Sequence, residues 1–348
     1  MDFFSIPGVA IAISVVICWA LFAIFCSLIH EAVTQIKAER GRFMRRYLLQ
    51  QLYDKPNQIN WGNEVYKHGS IAMLSRDRKK PSSDIEPTVF ATALVSAIAR
   101  SHLVQSKVEE FQQEVKMGST GIANQQQVNE TVLQLERYQH PVLKSFKAGM
   151  LLLQQSEQKQ LLTDALEYAE IQSPANEALT EAEIYQHLCT YLAGWFTELT
   201  ERLTLWYKKK TRQRLFWLGF LLALVLNVDS VDIFTIVNNN PAAQKILMGH
   251  YEKNTAVLEK IALRGDSLTT DSAAMNKLIK QYMHESDSLA QAAKLPIGLK
   301  YSPIYNTKGK NTGWYLLKIA GLFISAFAAS LGAPFWFDVL RKAYTLKS

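Results

Sequence analysis

The chain has 348 residues and a formal net charge of +7, with 48% hydrophobic and 20% charged residues. This apolar and aromatic content excludes a disordered chain. Three cysteines, two of them (Cys18 and Cys26) inside an apolar block, exclude a secreted disulfide scaffold. The mean hydropathy of −0.04 falls between soluble and polytopic membrane proteins because the apolar residues are segregated into three blocks.

The first block, Pro7 to Ile29, carries no charge and is 23 residues long. As a helix it reaches about 34 Å, enough for a hydrocarbon core of ~30 Å. It reads as a retained anchor rather than a cleavable signal peptide, since no basic residue precedes it and no small-x-small cleavage site follows. From Ser27 to Tyr53 the span is expected to continue as an amphipathic basic helix. Residues 55–85 read as irregular, ending in the basic run SRDRKKPSSD, a solvated loop rather than a nucleic-acid site. A helix is predicted to start at Pro87, a residue suited to a first helical position, and to run through FATALVSAIARSHLVQSKVEEFQQEV. GSTGIANQQQ breaks it. Residues 128–158 form a further helical segment that Pro141 should kink or divide, and another helix covers 159–171. Thr180 and Glu183 have capping-box spacing, so a helix should open at Glu181 and, with no breaker in its path, enter the second block unbroken.

That second block, Leu215 to Val237, is purely apolar in its first half and contains Asn227, Asp229 and Asp232 in its second. Helices Pro241 to Leu263 and Thr270 to Lys294 are predicted next, followed by a returning loop. The third block, Trp314 to Trp336, has the single charge Lys318. The fold class expected is therefore all-α: an integral membrane protein with three transmembrane helices, a large helical cytoplasmic domain and a small helical extracytoplasmic domain. Its divisions are 1–30 (first span), 31–213 (cytoplasmic), 214–237 (second span), 238–313 (extracytoplasmic), 314–337 (third span) and 338–348 (cytoplasmic tail). Orientation rests on the basic clusters at 37–46, 202–214 and 341–347, which share one side when the N-terminus is outside.

Five tracts carry a resemblance: VYKHGSIAML, EPTVFATALVSAI, GWFTELTERLTLWYKKKTRQ, ALVLNVDSVDI and the ending SLGAPFWFDVLRK, Ser330 to Lys342. Together they resemble a widespread family of uncharacterised bacterial three-span inner-membrane proteins. The resemblance implies topology and a bacterial inner membrane, and no activity. It covers both ends and most of the spans and is weak across 110–175 and 255–290.

Chemistry is sparse. None of the seven His has a second His or Cys at ligand spacing, and no nucleophile elbow or phosphate loop is present. GSTG at 118–121 and GKNTG at 309–313 read as polar turns. The expectation is a protein that is not an enzyme and has no cofactor, metal or nucleic-acid partner. The unusual residues form an intramembrane polar seam of Asn227, Asp229, Asp232 and Lys318, since ionisable groups in a span need a partner, a cavity or the interface; the competing outcome is that the second span ends near Leu226 with the acids at the outer surface. The second and third spans run in opposite directions, which places Lys318 opposite the turn containing Asp232 and Ser325 near Asn227. Lys318 is thus expected to pair with Asp232 or Asp229, the competing outcome being that it snorkels to the headgroups. Gly321, Ser325, Ala329 and Gly332 form a small-residue stripe that lets another helix approach closely, and Pro334 should end or bend the third span.

The expected function is a membrane anchor or scaffold that docks a soluble cytoplasmic protein at the inner membrane. The alternative is an oligomeric ion channel or pore-forming effector that uses the polar seam. The orientation makes one direct prediction. A reporter fused at Gln126 should read cytoplasmic, and an extracytoplasmic signal would reverse the whole topology.

Overall fold

The computed structural model describes residues 7–75, 80–82, 84–117, 122–172, 179–263, 272–302 and 311–345. The chain is helical almost throughout. In order come α1 (Pro7–Lys37), α2 (Glu39–Gln51), a minimal hairpin of β1 (Tyr53–Asp54) and β2 (Ile59–Asn60), α3 (Trp61–Lys67), α4 (Gly69–Ala72), α5 (Pro87–Ala99), α6 (His102–Met117) and α7 (Ile122–Glu136). These are followed by α8 (Pro141–Leu152), α9 (Glu157–Ile171), α10 (Glu181–Leu226), α11 (Ser230–Asn239), α12 (Pro241–Leu263), α13 (Ser272–Ala292), α14 (Thr312–Leu331) and α15 (Ala333–Thr345). Two compact units divide the chain: Ala38–Leu205, and Met1–Lys37 with Trp206–Ser348.

The unit 38–205 is built around α5. Phe90, Ala91, Ala93, Leu94, Val95 and Ile98 of this helix are fully buried, as expected for a helix apolar on all sides. Phe90 stacks on Phe196 with ring centroids 3.9 Å apart. The predicted helix from Pro87 through the glutamate-rich tract is two helices, because Ser101 caps a new one: its Oγ accepts the Val104 N–H at 3.2 Å. Pro141 likewise divides its segment and becomes the first residue of α8. The hairpin, which sequence reasoning missed, closes on the buried Asp54. That carboxylate accepts Nδ2 of Asn57 at 3.0 Å and the Trp61 indole N–H at 3.1 Å. The phenol of Tyr138, buried and hydrogen-bonded to Glu170, titrates well above its ordinary range.

The first basic helix is also interrupted. Ala38 adopts a left-handed conformation (φ 45°) between α1 and α2. The capping box expected at Thr180 is present, with the Thr180 N–H donating to Glu183 at 2.8 Å, and α10 then runs 46 residues without a break.

Among the described residues, three helical stretches are long and apolar enough to cross a membrane, Gly8–Thr34, Pro87–Lys116 and Thr312–Leu331, and the pair α10–α11 adds a fourth if its bend is counted as one broken span. The first and third correspond to the expected first and third spans. Pro87–Lys116 comprises the core helix α5 and the α6 face bearing exposed Glu109, Glu110 and Glu114, so its apolar residues are accounted for by the core of 38–205.

In the other unit α1 is the central element, with α11, α12, α13, α14 and α15 all packed on it. The second block differs from the single helix expected over 214–237: it bends by 57° between Leu226 and Ser230. Within 238–313, expected as a small helical extracytoplasmic domain, α12 and α13 lie along α1. The Tyr282 hydroxyl donates to the Leu21 carbonyl at 2.8 Å, and Leu258, Met275 and Tyr282 share a core with Ile17 and Ile24. Residues 333–345 form a helix packed on α1 where a tail was expected beyond 337. Gly332 (φ 82°) makes the turn into it, with Trp336 against Trp19 at 4.9 Å.

One contact in 38–205 has a pH signature. Both oxygens of Glu181 accept backbone N–H groups, of Gln139 at 2.6 Å and His140 at 2.7 Å, and cap the start of α8. These bonds hold the Glu181 carboxyl below its ordinary range. A depressed carboxyl stabilises the fold above its unfolded pKa and loses that contribution as pH falls through the folded one. Glu181→Gln should therefore lower the melting temperature at pH 7, with the gap to the parent closing below about pH 4, read by thermal unfolding across pH.

Candidate functional site

The site forms where the second block breaks. Asn227 takes a left-handed conformation (φ 56°), one that Asn adopts more readily than most residues. α10 therefore stops, and its final carbonyls need donors inside the membrane unit. The returning segment supplies them: the Gly298 N–H donates to the Leu226 carbonyl at 2.7 Å, and the Ser302 hydroxyl to that of Leu224 at 3.0 Å. The Asn227 amide itself donates to the Pro296 carbonyl at 2.7 Å. Asn227 therefore braces the break and does not join the charged pair.

Asp229 restarts the helix. Its Oδ1 accepts the N–H of Val231 at 2.8 Å and of Asp232 at 3.3 Å, a standard N-cap arrangement for α11. Its Oδ2 lies 3.0 Å from Lys318 Nζ on α14, and the same ammonium is 2.6 Å from Asp232 Oδ2. Lys318 thus bridges both acids instead of choosing one. The two acids are not equivalent, because the Asp229 side chain is 1% exposed and that of Asp232 is 42%. Lys318 Nζ also lies 5.8 Å from the centroid of the Trp314 ring, within cation–π range.

The small-residue stripe on α14 makes room for this arrangement. A Cβ on Gly321 would lie 1.8 Å from Asp229 Oδ1, so only glycine leaves space for the carboxylate. One turn on, Ser325 Oγ is 2.7 Å from Ser230 Oγ, where sequence reasoning placed Ser325 near Asn227. Ala329 faces Gly219 of α10, whose Cβ would lie 2.9 Å from its own. Gly332 belongs to the turn after α14. The helices admitted by the stripe are therefore α10 and α11 of the same chain.

Sequence reasoning missed Trp19 and Ser230. The Trp19 indole N–H donates to Ser230 Oγ at 2.9 Å, which extends the polar line from α14 through α11 to α1. The available signal was that an indole N–H buried in an apolar helix needs an acceptor.

Chemically the arrangement is a closed latch. One ammonium bridges two carboxylates, which leaves one net negative charge on the side of the part-exposed Asp232, and two hydroxyls and an indole satisfy one another. Among the described residues no three His, Cys, Asp or Glu gather as metal ligands. A cavity of about 390 Å³ lies elsewhere, between α12 and α15, lined by Tyr251, Glu252, Phe337 and Tyr344 with the Arg341–Glu259 ion pair. No family model, curated protein or solved structure matches the chain.

Burial sets the expected energetics. Lys318→Met strands the buried Asp229 charge and should destabilise the protein by about 3–5 kcal/mol. Asp232→Asn should cost about 1 kcal/mol or less, because its carboxylate is part-exposed. Combining Lys318→Met with Asp229→Asn keeps an N-cap and removes the stranded charge, so it should be more stable than Lys318→Met alone. Unfolding of the purified protein in detergent reads all three. Equal losses for Lys318→Met and Asp232→Asn would show that Asp229 does not depend on the lysine.

Proposed function

We propose that this protein is a non-enzymatic anchor of the bacterial inner membrane. Its unit 38–205 faces the cytoplasm and docks a soluble protein there, and its N-terminus lies outside. The observation that carries this reading is the closed latch. Lys318 and the buried Asp229 are spent on each other, which suits a fixed membrane unit better than a pathway for ions. The independent core around α5 in 38–205 supports a separate task for that unit. The motifs that resemble a bacterial three-span inner-membrane family support the location, and the basic clusters flanking the spans support the orientation. The alternative, an oligomeric channel built on the same polar residues, draws less support because Lys318 and Asp229 are buried against each other, and of the three charges only Asp232 is part-exposed.

The test uses the full-length protein. Purified from native membranes, it should retain a soluble protein at fixed stoichiometry, and replacing residues 38–205 with an inert soluble domain should abolish that association. Reconstituted in planar bilayers, it should pass no ion current. A current lost in the combined variant Asp229→Asn, Asp232→Asn would replace the anchor reading with the channel.

A further inference from the structure

The part of α10 just before its apolar half carries the densest positive charge in the chain. Five of the seven residues from Lys208 to Arg214 are basic, and no acid occurs between Glu201 and Asp229. From Leu215 to Leu226 the same helix is then uncharged for 12 residues, about 18 Å. This boundary sets the depth of the basic turn. With Leu215 at the edge of the hydrocarbon, Arg212 lies about 5 Å beyond it and Lys208 about 10 Å. The headgroup layer of one leaflet is about 5–8 Å deep, so these side chains end among lipid phosphates.

Three of the cations share one side of the helix. Arg212 follows Lys208 by four residues and Lys209 by three, the spacings that bring side chains together on a helix. All three are exposed. Like charges at these spacings repel, and their own helix offers none of them an acid within four residues. Among the described residues no ion pair engages Lys208, Lys209 or Arg212. The cluster therefore carries a surplus of positive charge that an anion from outside the chain would balance.

Below the cations the same side of α10 is apolar. Phe216 follows Arg212 by four residues, and Phe220 follows Phe216 by four. Both rings pack on Phe323 of α14, with centroids 6.1 and 4.9 Å away. Phe323 is 44% exposed, and Phe327, one turn on, is 59% exposed. Cations above a bare aromatic surface match the two ends of a phospholipid with net negative charge. We propose that Lys208, Lys209 and Arg212 bind the headgroup phosphate of an acidic glycerophospholipid whose acyl chain lies over Phe216, Phe220 and Phe323. The site rests on α10 entering the bilayer at Leu215, and is independent of what 38–205 binds and of which side faces the cytoplasm.

Lipid titration of the full-length protein in detergent, with bound lipids counted by native mass spectrometry, tests it. The first phosphatidylglycerol should bind about tenfold or more tightly than phosphatidylcholine, since each basic residue near a membrane surface adds about fivefold for anionic lipid. An equal concentration of glycerol 3-phosphate, which has the phosphate and no acyl chain, should leave it bound. The combined variant Lys208→Gln, Lys209→Gln, Arg212→Gln should bring phosphatidylglycerol down to the level of phosphatidylcholine with the melting temperature unchanged. If that variant melts early, Arg212→Gln alone decides, with an expected loss of about fivefold. Lys253→Gln with Lys277→Gln and Lys280→Gln removes the same charge from exposed positions on α12 and α13 and should keep the preference. Equal affinities for the two lipids in the parent would overturn the proposal. So would a preference that survives loss of the three cations, one lost equally in the α12–α13 variant, or displacement by glycerol 3-phosphate. A parent that binds neither lipid would remove the membrane entry of α10 as well.

Discussion

The membrane unit is organised by the need to neutralise and hydrogen-bond one carboxylate. Asp229 ends one helix and starts the next, so it must sit at the bend, and the bend lies inside the protein. A charge held there needs donors on every side. Backbone N–H groups of α11 satisfy one oxygen and Lys318 the other. The remaining features follow from that choice. Gly321 lacks a side chain because the carboxylate occupies its place, and Ser325 and Trp19 continue the polar contact across α14 and α1 through Ser230. The Pro296–Ser302 segment closes the other side of the bend by donating to, or accepting from, the last turn of α10.

The two units solve the same problem with different means. In 38–205 an all-apolar helix, α5, is wrapped by helices that are wet outside, and the polar groups it must bury, such as Asp54, are paired locally within a few residues. In the membrane unit the all-apolar helix is α1, and its polar contacts come from residues more than 200 positions away. Both are central helices apolar all round, which is why composition alone classifies them together.

Much of this was legible in the sequence, and the losses have identifiable causes. The three apolar blocks, the capping box at Thr180 and the uninterrupted α10 follow from local patterns. The Lys318 contact follows from antiparallel depth matching, since two acids and one base have few alternatives inside a bilayer. The break at Asn227 was hidden because Asn and Asp within an apolar block also fit a helix nearing the interface. Only the donors from Pro296–Ser302, some 70 residues on, make the break stable. The position of α12 and α13 was hidden for a similar reason: their amphipathic pattern announces one buried face and does not name the helix that covers it. The stripe on α14 was read correctly as a place of close approach, but sequence spacing could not distinguish a helix of the same chain from that of another.

The distance along the chain between the members of the ion pair sets the order of its assembly. Asp232 precedes Lys318 by 86 residues. At synthesis rates of ~5–20 residues per second, the acids emerge about 4–17 s before their counter-charge exists. During that interval Asp229 has no lysine to pair with, and a carboxyl left in an apolar setting favours its protonated form. A chain terminated before residue 318 would carry an acid that never finds its lysine.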